Sequence, residues 1–201
     1  MNKSKATEKK RTGILTSASE LVEMLGLVTV AVMLLFAFVV RLNIVVGESM
    51  EQTLSEGEYL VVSDLFYEPK AGDIVIVHDI EADPYDDPIV KRVIATEGQT
   101  VDIVFGNEDV WTLYVDGKEV EESYRYIVPN KITHGTITAE YSLPITVGEG
   151  QVFVMGDNRN NSADSRSQAI GLVDERCIVG KAIVRLLPFD RFTVFKNPFG
   201  N

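Results

Sequence analysis

Within the stretch VVGESMEQTL, Val45 to Leu54, Ser49 sits in a glycine-containing loop. A serine hydroxyl can attack a carbonyl once a base takes its proton. Histidine is the usual base, but the chain holds only two, His78 and His134. Lys91 offers another. It lies in the strand-like run PIVKRVIA, with Val90 before it and Val93 two residues on. Apolar surroundings strip water from an ammonium, lower its pKa and make a neutral amine available around pH 7 to 9. Such an amine can deprotonate a serine, as in the Ser-Lys variants of the hydrolytic triad. Each residue also has a plainer reading on spacing alone: Ser49 as a turn residue, Lys91 as a strand lysine pointing to water.

The elements that would position this pair begin with one long apolar run. Residues Leu21 to Val40 read LVEMLGLVTVAVMLLFAFVV, with Glu23 and Thr29 the only clearly polar members. As a helix, twenty residues span roughly 30 Å, the thickness of a bilayer's hydrocarbon core. Glu23 lies near one end, where a charge can reach the interface. No small-x-small cleavage pattern follows in RLNIVVGESM, so the run reads as a permanent anchor rather than a removable leader. Lys3, Lys5, Lys9, Lys10 and Arg11 oppose only Glu8 and Glu20, which gives residues 1–20 a charge of +3. A basic head stays on the cytoplasmic side. The expected organisation is therefore a cytoplasmic head over 1–20, a transmembrane helix over 21–40 and an extracytoplasmic domain over 41–201. Ser49 would then lie within about 30 Å of the bilayer, the reach of nine extended residues.

The net charge of −11 leaves −14 beyond the head, which disfavours nucleic acid as a partner. The single cysteine, Cys177, excludes an intrachain disulfide and any multi-cysteine metal site, and it reads as a small buried hydrophobe. After the anchor the pattern changes to short runs rich in Val, Ile, Tyr and Phe. EYLVVSDLF, GDIVIVHD, VKRVIATEG, QTVDIVF, WTLYVDG and QVFVMGD are each bounded by Gly, Pro, Asp or Glu, as strands are. LYVDGKEVEE predicts a hairpin turning at Asp116-Gly117, and KAIVRLLPF a closing strand. No helical pattern recurs between strands, which argues against a parallel α/β sheet. The fold class is mostly β, one domain behind one anchor. The acidic loop DIEADPYDDP lacks the residue order of a known calcium loop and reads as solvated. PNKITHGTITAEYSLP, around His134, reads as a surface connection.

In order along the chain, GESMEQTL, GDIVIV, KRVIATEG and GDNRNNSADSR…IGLV…IVGKA resemble the sequence boxes of bacterial type I signal peptidases, the Gram-positive-like short form. The resemblance runs from the anchor to about Val184, and its last box is long and specific. It implies a β-rich catalytic domain of the kind shared with self-cleaving repressor peptidases. It implies Ser49 as nucleophile and Lys91 as general base, with no metal or other cofactor. Ser162 matches the serine that orients the lysine amine, and Asp164 and Arg166 match a supporting pair. Asp157, Asn158 and Arg159 would shape the same loop, and Arg92 matches the basic neighbour of the lysine.

Two departures stand out. Gln52 replaces the usual proline after the nucleophile, which would loosen that turn. Gly47 stands where some relatives place a serine in the oxyanion hole, leaving the Ser49 N–H as the firmer donor. The implied partners are the lipid bilayer and secreted preproteins delivered by a secretion channel, cut after small residues at A-x-A sites. Val45, Val46 and Val90 are candidate walls of the pocket that selects those residues; they read equally as strand core. Two rivals remain. A soluble self-cleaving repressor would lack the anchor. A non-catalytic assembly factor for surface proteins or pili would be expected to lack Ser49 or Lys91.

Overall fold

The computed structural model describes residues 20–34, 40–78, 87–105, 111–127 and 143–199. The chain divides into two compact units, Met1–Arg41 and Leu42–Asn201. In the first, residues 20–34 are helical and exposed throughout. Among the described residues no helix is long and apolar enough to cross a membrane. Residues 35–39 of the expected anchor lie outside the described set.

The second unit is β. Its strands are β1 (Arg41–Ile44), β2 (Tyr59–Ser63), β3 (Ile74–Val77), β4 (Ile89–Thr96), β5 (Thr100–Phe105) and β6 (Trp111–Val115). They continue with β7 (Lys118–Glu119), β8 (Ile145–Thr146), β9 (Gln151–Met155), β10 (Val173–Asp174), β11 (Ile178–Leu187) and β12 (Thr193–Val194). The larger sheet runs β1-β2-β11-β3-β4-β9-β10, with β12 pairing β11 from the side; the smaller runs β7-β6-β5-β8. The pairings along β2-β11-β3-β4-β9-β10 are antiparallel.

The centre of the large sheet shows why its sequences look as they do. β3, IVIV, is buried at every position, and β4 is buried at six of eight. Strands covered on both faces read as unbroken apolar runs rather than as alternation. Lys91 and Arg92 interrupt such a run, each only 3% exposed. Buried charges in mid-strand need partners, so this interruption marks the site.

The DG hairpin forms as the turn chemistry requires: Asp116 and Gly117 both take positive φ, 53° and 72°, and Tyr114 and Val115 pair with Glu119 and Lys118. β11 differs from the expected closing strand. It lies inside the sheet between β2 and β3, long enough to pair with β12 as well. The acidic loop, apart from Asp87 and Pro88, and the segment around His134, apart from Leu143 and Pro144, lie outside the described residues.

Three apolar clusters fill the domain. One, with Val45, Met50, Leu54, Leu60, Ile76 and Val90, packs under the loop between β1 and β2. A second joins the small sheet to β4 and β9 through Ile103, Trp111, Leu113, Phe153 and Met155. The third is a valine layer, Val75, Val77, Val93, Val152 and Val154, with Cys177 partly buried against it. Replacing Cys177 by alanine removes one small group from the margin of that layer. Cleavage activity is expected within about twofold of wild type, measured on a preprotein substrate.

Candidate active site

Three segments meet at Ser49. The first is its own loop, entered from β1 and left through a tight turn in which Leu54 N–H donates to Met50 O at 2.8 Å. Met50 and Leu54 are both sealed in the first apolar cluster, 1% and 0% exposed. They fix the turn from below and leave Ser49 half-buried at its top. The second is β4, which carries Lys91. The third is the loop after β9, Gly156 to Arg166.

Lys91 Nζ donates to Ser49 Oγ at 2.8 Å. With the amine neutral the same contact reverses, and the serine hydroxyl donates to nitrogen. That is the geometry general-base activation requires.

The third segment ties itself to the nucleophile by backbone and side chain. Asn158 N–H donates to Ser49 O at 3.0 Å, and the Asn158 side-chain amide donates to Glu48 O at 3.1 Å. The Asn161 amide reaches the Glu48 carboxylate at 3.1 Å. Arg92 grips Asp157 through Nε and Nη2 at 2.9 and 2.6 Å, both side chains buried. Asp157 also accepts from the Thr53 hydroxyl at 2.6 Å. Adjacent residues on β4 thus hold opposite ends of the machinery: Lys91 meets the nucleophile, and Arg92 meets the loop and turn that frame it. Thr53 is anchored further by Arg185, whose Nη1 donates to Thr53 O and to buried Glu58, both at 3.0 Å. These bonds hold in place the turn that contains Gln52.

Asp164 is fully buried and accepts from Arg166 Nε and Nη2, both at 2.8 Å, and from Gly156 N–H at 3.0 Å. Burial by itself would raise its pKa. The Arg166 charge, the hydrogen bonds from Arg166 and Gly156, and the nearness of Ser162 outweigh burial and hold the carboxyl below the usual carboxylate range. Arg166 Nη1 donates in turn to Arg159 O at 2.9 Å, closing the loop on itself.

Ser162 lies in this loop, 2% exposed, and its hydroxyl makes no hydrogen bond in this conformation, neither to Lys91 nor, at bonding angles, to Asp164. A buried hydroxyl without a partner is costly. Here it is held against Gly156, where a Cβ would overlap both Ser162 Oγ and the Ser49 carbonyl and stand 2.6 Å from Ser162 Cβ. Only a glycine lets the nucleophile loop and the Ser162 loop approach this closely. Gly156→Ala is expected to lower kcat/KM about a hundredfold with the domain still folded, since displacements of an ångström at a reacting centre carry penalties of that size. Steady-state kinetics beside a thermal unfolding curve checks it.

Gly47 takes φ +80°, a left-handed conformation that a serine would adopt only with strain, and no atom lies within 4 Å of where its Cβ would be. The three valines separate. Val45 and Val90 are 2% and 8% exposed and belong to the first cluster, whereas Val46 is 76% exposed. Val46 is the one that faces outward.

Other supporting groups had no signal in the sequence. Glu122, beyond the DG hairpin, has a side chain only 3% exposed and forms an ion pair with Arg159 through both carboxylate oxygens. Tyr126 bridges to Asn158, with Tyr126 N–H donating to Asp157 O at 2.9 Å and Arg159 N–H returning to Tyr126 O at 3.0 Å. The Tyr124 ring lies 4.0 Å under the Arg92 guanidinium. Among the described residues no cluster of His, Cys, Asp and Glu could hold a metal ion.

Ser49 thus lies against the amine of a buried lysine on a β domain, and comparison with known proteins supplies the family. The model of the family described as signal peptidase, peptidase S26, matches residues 18–187. The chain is 36% identical over 182 residues to the probable signal peptidase I-1 of a Synechocystis species, covering 86% of this chain and 84% of that one. It is 37% identical over 191 residues to signal peptidase I of Bacillus licheniformis, covering 92% and 96%. A solved signal peptidase I from Enterococcus faecalis is 31% identical, with a TM-score of 0.43, covering 57% of this chain and 97% of that one. The chain belongs to the peptidase S26 family as a bacterial type I signal peptidase. Its work is therefore removal of signal peptides, and preproteins that carry them are its substrates.

Proposed function

We propose that the chain is a membrane-anchored Ser-Lys endopeptidase that cuts preproteins after small residues at A-x-A sites. The observation that carries this reading is the 2.8 Å contact between Ser49 Oγ and the amine of Lys91, a residue only 3% exposed. Such burial disfavours the ammonium and favours the neutral amine that a base must be. Lys91 takes the Ser49 proton as Oγ bonds to the carbonyl carbon at −1. The Ser49 N–H holds the resulting oxyanion. The tetrahedral intermediate collapses as the leaving amine takes the proton back from Lys91. Water, deprotonated by Lys91, then attacks the acyl carbon; the bond to Ser49 Oγ breaks as Oγ takes that proton from Lys91, and the signal peptide leaves with its new carboxylate.

The basic head and the apolar run from Leu21 to Val40 support a single-pass anchor with the N-terminus cytoplasmic and residues 41–201 on the outer face. The helix over 20–34 leaves Val22, Leu25 and Leu27 at 69%, 60% and 73% exposure, a surface that suits lipid better than water. Outside the membrane, the enzyme would meet preproteins as a secretion channel delivers them. Selection of small residues requires a shallow pocket beside Ser49. Val46 faces outward there, and Val45 and Val90 would act from beneath by supporting its floor.

The test uses the full chain in lipid vesicles with a preprotein bearing alanine at −1 and −3, the product being read by mass spectrometry. Cleavage directly after the −1 alanine, lost when that residue is leucine, is the expected result. Equal cleavage of both substrates would overturn the small-residue rule.

A further inference from the structure

The family model ends at residue 187, yet the chain continues through β12 into a tail that returns to the turn before β3. Phe195 N–H donates to Ile183 O at 2.9 Å, and its ring packs on the first apolar cluster. Two residues on, the Asn197 side chain is clasped at the turn before β3. Its amide donates to Ala71 O at 2.7 Å and to Asp73 Oδ1 at 3.3 Å, and its Oδ1 accepts from Phe199 N–H at 2.9 Å. Gly72 makes room for this: φ is +95°, and a Cβ there would overlap Asn197 Oδ1 and stand 3.0 Å from Phe199 Cδ2. The Phe199 ring lies tilted against Tyr124, centroids 6.1 Å apart and planes at 60°.

Both tail contacts land on groups bonded to β4 beside Lys91. Gly72 N–H donates to Val93 O at 2.8 Å, and Val93 N–H donates to Asp73 O at 2.9 Å. Gly72 O accepts from Arg92 Nη1 at 2.7 Å. Tyr124, on which Phe199 rests, lies under the same guanidinium. Arg92 in turn holds Asp157, and Asp157 holds Thr53 of the nucleophile turn. Asp73, 2% exposed, also binds Lys181 at 2.6 Å and Tyr67 at 3.0 Å, so the corner on which Asn197 sits is itself rigid.

We propose that the C-terminal tail is a positioning device for the catalytic lysine: Asn197, clasping the Gly72–Asp73 turn, and Phe199, backing Tyr124, fix Arg92 and with it the seat of Lys91 opposite Ser49. The proposal rests on the Ser-Lys reading of the site. Neither Asn197 nor Phe199 touches Ser49 or Lys91 in the contacts above, so both act through Arg92. Their removal alters the alignment of the reacting atoms and leaves the substrate's binding surface in place.

The experiment compares the full-length reconstituted wild type with Phe199→Ala, Phe199→Tyr, Asn197→Asp and Lys91→Met. It reads kcat and KM on one preprotein, the rate of Ser49 acylation by a small serine-directed reagent, and the folded fraction at the assay temperature. Phe199→Ala and Asn197→Asp are expected to lower kcat and the acylation rate about tenfold, with KM within about twofold. The Asn197→Asp change sets a carboxylate against buried Asp73. Phe199→Tyr keeps the ring on Tyr124 and is expected to restore both rates. Wild-type rates in folded Phe199→Ala would overturn the proposal, as would a loss that matches the unfolded fraction or one that Phe199→Tyr does not restore. Wild-type cleavage by Lys91→Met would instead remove the Ser-Lys reading itself, and the tail would then have no catalytic lysine to position.

Discussion

Lys91→Met is expected to leave the protein folded and to reduce cleavage at least about ten-thousandfold, the scale on which serine hydrolases lose activity when their base or nucleophile is removed. Methionine keeps an unbranched apolar stem in the buried position on β4, so the packing there persists while the amine is lost. Lys91 Nζ lies at hydrogen-bonding distance from Ser49 Oγ, 2.8 Å, so the variant removes the amine placed to take the serine's proton. Ser49→Ala gives a similar loss, and the double variant falls little further, because two groups that act as one unit are not additive. Single-turnover cleavage with excess enzyme measures all three. A folded Lys91→Met retaining a tenth of wild-type rate would show that another group accepts the proton.

Asp164→Ala acts through stability. Arg166 is 3% exposed, and without the carboxylate it would be a buried charge lacking its ion-pair partner, while Gly156 N–H would lose its acceptor. Breaking a buried pair from one side costs about 3–5 kcal/mol, a large part of a domain's total stability. Urea unfolding followed by intrinsic fluorescence should show a lower midpoint, corresponding to a loss of that size in the unfolding free energy extrapolated to water. The pH dependence has a definite sign. Asp164 titrates below its ordinary range in the folded protein. Its contribution is therefore complete above the unfolded carboxyl's value of about 3.9 and is lost as pH falls through the lower folded value. The gap in stability between wild type and Asp164→Ala is expected to be constant near neutrality and to close in acid. A gap that widened in acid would mean that folding raises the carboxyl's pKa instead of lowering it.

Much of this was legible in the sequence because strand burial writes itself into apolar runs, and a lysine-arginine pair inside such a run is conspicuous. β2 to β6 and β9 lie where Val, Ile, Tyr and Phe concentrate between Gly, Pro and acidic residues. β8, β10 and β12 are two residues each, too short for any period to show. The central place of β11 depends on its pairing with both β2 and β3, which no local pattern encodes. Ser49, Lys91, Asp164 and Arg166 could be named from their boxes. Glu122, Tyr124 and Asn197 could not, since each gains its meaning only when strands far apart in sequence bring it to Arg159, Arg92 or Asp73. The valines show the converse limit: Val45 and Val46 are neighbours of one type, yet one is sealed in the core and the other open, because successive residues of an extended chain point in opposite directions.

The most direct test of the Ser-Lys account is the pH dependence of cleavage between pH 6 and 10, with membrane-reconstituted wild type and Lys91→Ala acting on a preprotein with an A-x-A site. The account predicts a rate for wild type that rises with pH as a single amine loses its proton, and no cleavage by Lys91→Ala at any pH. A rising limb that survives unchanged in Lys91→Ala would contradict it, because the base would then be some group other than the lysine at Ser49.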